Sequence, residues 1–186
     1  GNSGDRVSES GPYADLAGFA NLTGQFKMSK NTLSVGGVDA MGMIESKSSK
    51  GPAFDGRIKP DVVAFGLGGT SEAAAIVSGT SLLIQHAYKN IYGNLPSSDF
   101  VKAVLVNSAD DRGRKGVDYE YGFGLVNGLN ALKTVVDKRF FESAIQSGEA
   151  EFLISVPPAA SIRISLAWTD VAADPGVAKA LVNDLD

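Results

Sequence analysis

The sequence predicts an α/β fold over residues 1–138, followed by a mainly β segment over 139–186. Three observations carry this. Short β-prone runs at 32–38 and 61–66 stand ahead of helix-forming stretches. Between Ala73 and Tyr88, sixteen residues carry no formal charge and include Ala74, Ile76, Val77, Leu82, Leu83 and Ile84. Past Lys138 the helical period gives way to alternation, at 151–156 and 161–168, with Pro157-Pro158 between them.

Each element has a local reason. The first thirty residues are loop-like, with turn chemistry at Gly1-Asn2-Ser3-Gly4 and Ser10-Gly11-Pro12. The run at 32–38 reads as a core strand, and 45–59 as a polar, Gly-rich surface loop. A second strand, 61–66, follows Lys59-Pro60 and leads into the flexible turn Gly66-Leu67-Gly68-Gly69-Thr70. The stretch 73–88 is then a helix apolar on nearly all faces, which belongs inside a protein. A second helix is expected over 98–108, with Ser98 as cap and Phe100, Val101, Val104 and Leu105 as its apolar face. A turn-rich stretch, 110–124, leads to a third helix over 127–137. The alternating runs at 151–156 and 161–168 read as a hairpin or two adjacent strands, with Trp168 anchoring the core of that β unit.

Composition narrows the function classes. The chain has 186 residues, enough for one domain or one domain plus part of another. It is 44% hydrophobic, which provides for a packed core. A net charge of −4 gives no basic surplus for nucleic acid or an anionic membrane. With no cysteine, disulfide frameworks, thiolate metal sites and Cys nucleophiles are excluded. Glycine occurs 22 times, well above the average of roughly 7%, as expected of many tight turns. No apolar stretch reaches the ~20 residues needed to span a bilayer. The chain starts at Gly1 without Met or signal peptide, and the expectation is a piece of a longer protein.

There is one histidine, His86, and histidine is the commonest general base in hydrolases. The nucleophile candidate is Ser71. It sits at the entry of the buried helix after a Gly-rich turn, where free N–H groups and the positive dipole end gather. From position alone Ser71 reads as a helix cap or as a nucleophile. Gly69-Thr70-Ser71-Glu72-Ala73 approaches the G-x-S-x-G elbow of α/β-hydrolases but lacks its last Gly. That elbow needs a later His, and His86 lies fifteen residues along the same helix, about 22 Å at 1.5 Å per residue. It is out of reach of Ser71, so if Ser71 is catalytic its base lies outside this chain.

Several segments together resemble the subtilisin-like serine proteases. Gly69-Thr70-Ser71, followed by small residues and Val77-Ser78-Gly79, resembles their nucleophile motif. Lys59-Pro60-Asp61-Val62-Val63-Ala64 resembles the strand before it, and Ser48-Ser49-Lys50-Gly51-Pro52 with Asp55-Gly56-Arg57 the loop before that. Gly1-Asn2-Ser3-Gly4 resembles the turn carrying the oxyanion-hole asparagine. Lys30-Asn31-Thr32-Leu33-Ser34-Val35-Gly36 and Tyr119-Glu120-Tyr121-Gly122-Phe123-Gly124-Leu125-Val126-Asn127 resemble later landmarks of the same family, in the same order. Ala167-Trp168-Thr169-Asp170 and Leu181-Val182-Asn183-Asp184-Leu185-Asp186 resemble the C-terminal β-sandwich of high-molecular-weight alkaline subtilases.

The resemblance implies a parallel sheet with helices on both faces, then strands of a β-sandwich. It implies peptide-bond hydrolysis through an acyl-enzyme at Ser71, with Asn2 and the Ser71 N–H stabilising the oxyanion. The family's Asp and His precede that asparagine, so both are expected to lie outside these residues. The isolated chain is then expected to be the inactive second half of a protease domain. Three positions depart from the family pattern without removing a catalytic atom. Glu72 stands in place of Met, Ala75 in place of Pro, and Ile76 where many members have His. No cofactor is expected, although calcium is a structural candidate at Asp184 and Asp186. The expected partner is a protein or peptide substrate, with no nucleic acid and no membrane span. A swapped homodimer is a further expectation, because the buried helix needs cover on all sides. The family implies an extracellular or periplasmic location. Asn21-Leu22-Thr23 fits the N-glycosylation pattern. The competing readings are a non-catalytic pseudoprotease or adhesion module and, opposed by the missing later His, an esterase-type hydrolase.

Overall fold

A computed structural model describes residues 1–22, 24–144, 148–158 and 160–185. In it the two β-prone runs, β1 (Val35–Val38) and β2 (Val62–Phe65), lie parallel, with Val35 opposite Val62 and Val38 opposite Phe65. Side chains alternate across the pleat, so this register sorts the residues into two cores. Val35, Val62 and Ala64 face one core, and Val38 and Val63 face the other. Val62 and Val63 are fully buried, as befits a parallel strand covered on both sides.

The first face carries the helices. The long helix α2 spans Thr70–Tyr92 and packs on both strands. It is longer than the uncharged run, because Glu72 and Lys89 continue it outward to Gly93, a left-handed cap at φ 83°. Its buried stripe is Thr70, Ala73, Val77, Ile84 and Tyr88, at helical spacing. The helix α3, Ser98–Ser108, has the expected bounds, but Ser97 caps it, accepting from the Phe100 N–H at 3.1 Å. Asn127 caps α4, Gly128–Val136, accepting from the Asn130 N–H at 2.9 Å. Both helices pack against α2. A short helix not expected from the sequence, α1 (Gln25–Met28), interrupts the N-terminal loops. Tyr88, Phe100 and Phe140 close the far end of this core, with ring centroids 4.8 and 4.7 Å apart.

Three expectations are corrected. Among the described residues, α2, α3 and α4 share one face of the sheet, whereas the other face is covered by Ile44, Tyr121 and Leu125. The segment 123–126 runs alongside β2, with the Val63 N–H donating to Gly124 O at 3.0 Å and the Val126 N–H to Val63 O at 2.9 Å. Second, α2 is not covered all round: Ile76, Leu82 and Leu83 are exposed, because two strands and two helices envelop only one side. Third, among the described residues the β-sandwich strands do not form. Residues 151–156 and 161–168 make no strand, and Leu153 is 98% exposed. A strand exists through its ladder partner, and Pro157 and Pro158 contribute no N–H. Asn107 of α3 bonds the Arg163 carbonyl and the Ser165 hydroxyl instead, both at 3.1 Å.

A buried ion pair ties the roots of both strands together. Lys59 Nζ lies 2.6 Å from Asp61 Oδ2 and donates to Thr32 O at 3.0 Å. The same carboxylate oxygen accepts from the Ser34 N–H at 2.7 Å. Burial pushes the Lys59 ammonium below the ordinary lysine range, and the Asp61 charge opposes that shift. Such a pair is costly to break, since one partner left alone is a buried uncompensated charge.

Ile84→Ala should cost about 2–5 kcal/mol of unfolding free energy in urea denaturation, because the fully buried side chain leaves a cavity. Leu82→Ala on the open face should stay within about 0.5 kcal/mol. Ser97→Ala should cost about 1 kcal/mol, and Ser98→Ala less, because only Ser97 satisfies a helix N–H.

Candidate active site

β2 ends in the turn Gly66-Leu67-Gly68-Gly69, and α2 begins immediately after it. Ser71 is therefore the second residue of the helix, exposed, among N–H groups that have no intrahelical partner. The donors nearest Asn2 and Ser71 can be followed. The Thr70 N–H donates to Asn2 Oδ1 at 2.9 Å, and the Thr70 hydroxyl donates to the same oxygen at 2.8 Å. The Glu72 carboxylate folds back to accept from the Gly68 N–H at 2.9 Å. The Ser71 N–H has no acceptor among the described residues.

This geometry orients Asn2. Two donors fix its oxygen toward Thr70, so the amide NH2 turns away, and it makes no hydrogen bond among the described residues. Gly69 makes the approach possible: its φ is 121°, and a Cβ there would lie 3.0 Å from Asn2 Nδ2. Asn2 and Ser71, singled out separately from the sequence, thus meet through Thr70. An exposed hydroxyl at a helix N-terminus, with an unused backbone N–H and a side-chain amide nearby, is suited to a reaction that builds negative charge on an oxygen.

The turn carrying Asn2 is held from behind. Ser49 Oγ accepts from the Ser3 N–H at 3.0 Å, and the Ser49 N–H donates to Gly1 O at 2.8 Å. The Gly4 N–H donates to Lys47 O at 2.9 Å, in a space where a Cβ on Gly4 would come within 2.3 Å of Ser48 O. Asn21 Nδ2 donates to Ser3 O, and to Arg6 O at 3.2 Å. Ser48 Oγ accepts from the Gly37 N–H of β1 at 3.0 Å. Ser48 and Ser49 are thus buried positioning residues in a stretch expected to be a surface loop. Nothing in a Lys-Ser-Ser-Lys run marks burial; the signal is absent from the local sequence.

The remaining candidates lie elsewhere. His86 is exposed, far down α2, with a ring nitrogen 3.0 Å from Asn90 Nδ2. The structure does not bring it to Ser71. Asp184 lies 3.1 Å from Lys179 Nζ, and Asp186 lies outside the described residues. Among the described residues no three His, Cys, Asp or Glu side chains gather as a metal cluster, and no helix is long and apolar enough to cross a membrane. Thr23 of the glycosylation pattern also lies outside the described residues.

Residues 1–124 match the peptidase S8 subtilase family. The chain is 30% identical over 192 residues to the serine protease/ABC transporter B family protein tagA of Dictyostelium discoideum, covering 75% of this chain and 11% of that protein. The solved prenylagaramide maturation protease PagA is 26% identical at a TM-score of 0.50, with 59% of this chain and 44% of that one covered. A lanthipeptide protease is 25% identical at a TM-score of 0.47, covering 58% of this chain and 42% of that one. The chain thus spans about a tenth of the curated relative and under half of each solved structure. From this match over its first 124 residues, the chain belongs to the subtilase family and has the α/β fold of its serine proteases.

Proposed function

We propose that these residues supply the nucleophile and the oxyanion hole of a serine endopeptidase. The observation that carries this reading is the pair of unused donors, the Ser71 N–H and the Asn2 amide, at the exposed start of α2. In the proposed reaction a base takes the Ser71 proton, and Oγ adds to the scissile carbonyl of a peptide. The carbonyl oxygen becomes an oxyanion, stabilised by those two donors. The intermediate then collapses, the C–N bond breaks, and the amine leaves with the proton held by the base. Water next hydrolyses the acyl group from Ser71 and restores the hydroxyl.

The base comes from outside these 186 residues, since the chain's one histidine is His86, about 22 Å along α2 from Ser71. The isolated chain is accordingly a partial machine. Glu72 is a helix-start ligand in this scheme, because its carboxylate is occupied by the Gly68 N–H. Calcium at Asp184 and Asp186 is kept as a proposal for a structural ion, and no step of the hydrolysis uses it. An exported location likewise rests on the family.

A fluorophosphonate probe tests this reading. The full-length parent should be labelled at Ser71, the Ser71→Ala parent should not, and the isolated 186-residue chain should not. Glu72→Gln should retain labelling, since an amide oxygen still accepts from Gly68. A parent that resists the probe would favour the non-catalytic binding module, and labelling of the isolated chain would contradict the external base.

A further inference from the structure

We propose that residues 168–183 form a clasp that fastens the C-terminal segment to the Lys30-Asn31 turn at the root of β1, so that this segment belongs to the same folded unit as the subtilase part. This inference stands independently of the role of Ser71. Its centre is Asp170, whose residue surface is 3% exposed. The Asp170 carboxylate receives Lys30 Nζ at 2.7 Å and the Val182 N–H at 2.8 Å on one oxygen. The other oxygen receives the Asn183 N–H at 2.9 Å and Asn183 Nδ2 at 3.0 Å. The chain thereby closes a loop on itself and seals it with a charge from the subtilase part.

The backbone of Asp170 is captured too. Asn31 Nδ2 donates to Asp170 O at 2.8 Å, while the Asp170 N–H donates to Asn31 Oδ1 at 3.1 Å. This reciprocal pair satisfies a backbone unit as a strand partner would. Lys30 Nζ also donates to Val171 O, and to Ala180 O at 2.7 Å. The Ala180 N–H donates in turn to Asp55 Oδ2 at 3.1 Å, and Arg57 Nε holds that same carboxylate at 2.7 Å. The attachment is therefore polar and directional, with contacts from both ends of the loop.

Behind the turn the network continues inward. Lys102 Nζ donates to Lys30 O at 3.0 Å and lies 3.7 Å from Asp61 Oδ1. The clasp is thus connected to the buried ion pair at the start of β2. A buried carboxylate is tolerated only when paired and hydrogen-bonded, and Asp170 meets both conditions. Burial raises its pKa, but Lys30 and the N–H groups of Val182 and Asn183 outweigh burial and hold the carboxyl well below the usual range. Those same residues, Trp168-Thr169-Asp170 and Val182-Asn183, carried the resemblance to a β-sandwich. In this structure they meet each other across the loop rather than as sheet strands.

Hydrogen exchange read by mass spectrometry on the 186-residue chain tests the clasp. Peptides covering 171–183 should be protected, and Asp170→Asn should speed their exchange at least tenfold. Asp174→Asn, an exposed acid in the same loop, should leave them unchanged. Asn183→Ala removes one side-chain donor and keeps the buried charge pair; it should give a smaller rise while α2 stays protected. Exchange at the free-peptide rate in the unmodified chain would overturn the proposal. So would a 171–183 rate indifferent to both Asp170→Asn and Asn183→Ala.

Discussion

One side-chain oxygen joins the parts of this site. Asn2 Oδ1 takes both hydrogen bonds offered by Thr70, a residue 68 positions away in sequence. Thr70 is buried, because it begins the stripe through which α2 packs on the sheet. The contact therefore carries the rigidity of the core to an exposed turn. It also sets the direction of the Asn2 amide: an asparagine whose oxygen is held in this way has its NH2 group left to offer elsewhere. The backbone of the turn is held by other contacts, so what Thr70 adds is the orientation of the Asn2 side chain.

The same logic of polar groups holding apolar frames recurs through the structure. β2 is buried on both sides, and burial alone would leave its approach poorly fixed. The Lys59–Asp61 pair pins that approach, with Ser34 and Thr32 bringing the root of β1 to the same point. Ser49 does for the Asn2 turn, and Ser48 for β1, what Asp61 does for the strand roots: small hydroxyls, inside, each meeting a backbone N–H. Buried polar groups with partners specify one arrangement where hydrophobic contact would tolerate several. In contrast, the exposed Ile76, Leu82 and Leu83 mark the side of α2 that this chain leaves bare.

Much of the frame was legible because it is local. Both strands, the bounds of α3 and the Asn127 start of α4 follow from β-propensity, helical period and capping. Ser71 was legible as the residue after a glycine turn, and the ordered set of motifs pointed to the subtilase family. The burial of Ser48 and Ser49 was not legible, since its cause lies in the distant Ser3 and Gly37. The tail misled for a related reason. Alternation at 161–168 is a genuine strand pattern, but a strand is a pairing, and here Arg163, Ser165 and Asp170 find α3 and the Lys30-Asn31 turn instead. A one-dimensional period reports which side chains share a face, not which surface that face will meet.

In the proposed function, the Thr70 contact holds Asn2 by its oxygen and leaves its amide to stabilise charge. The most direct measurement is kcat and KM of Asn2→Asp in the full-length parent. An aspartate keeps the acceptor that Thr70 needs and removes the amide donor. The expected result is a fall in kcat of about 100- to 1,000-fold with KM little changed, the size known for loss of one such donor in subtilisin. A kcat within a few fold of the unmodified parent, or an effect confined to KM, would contradict it.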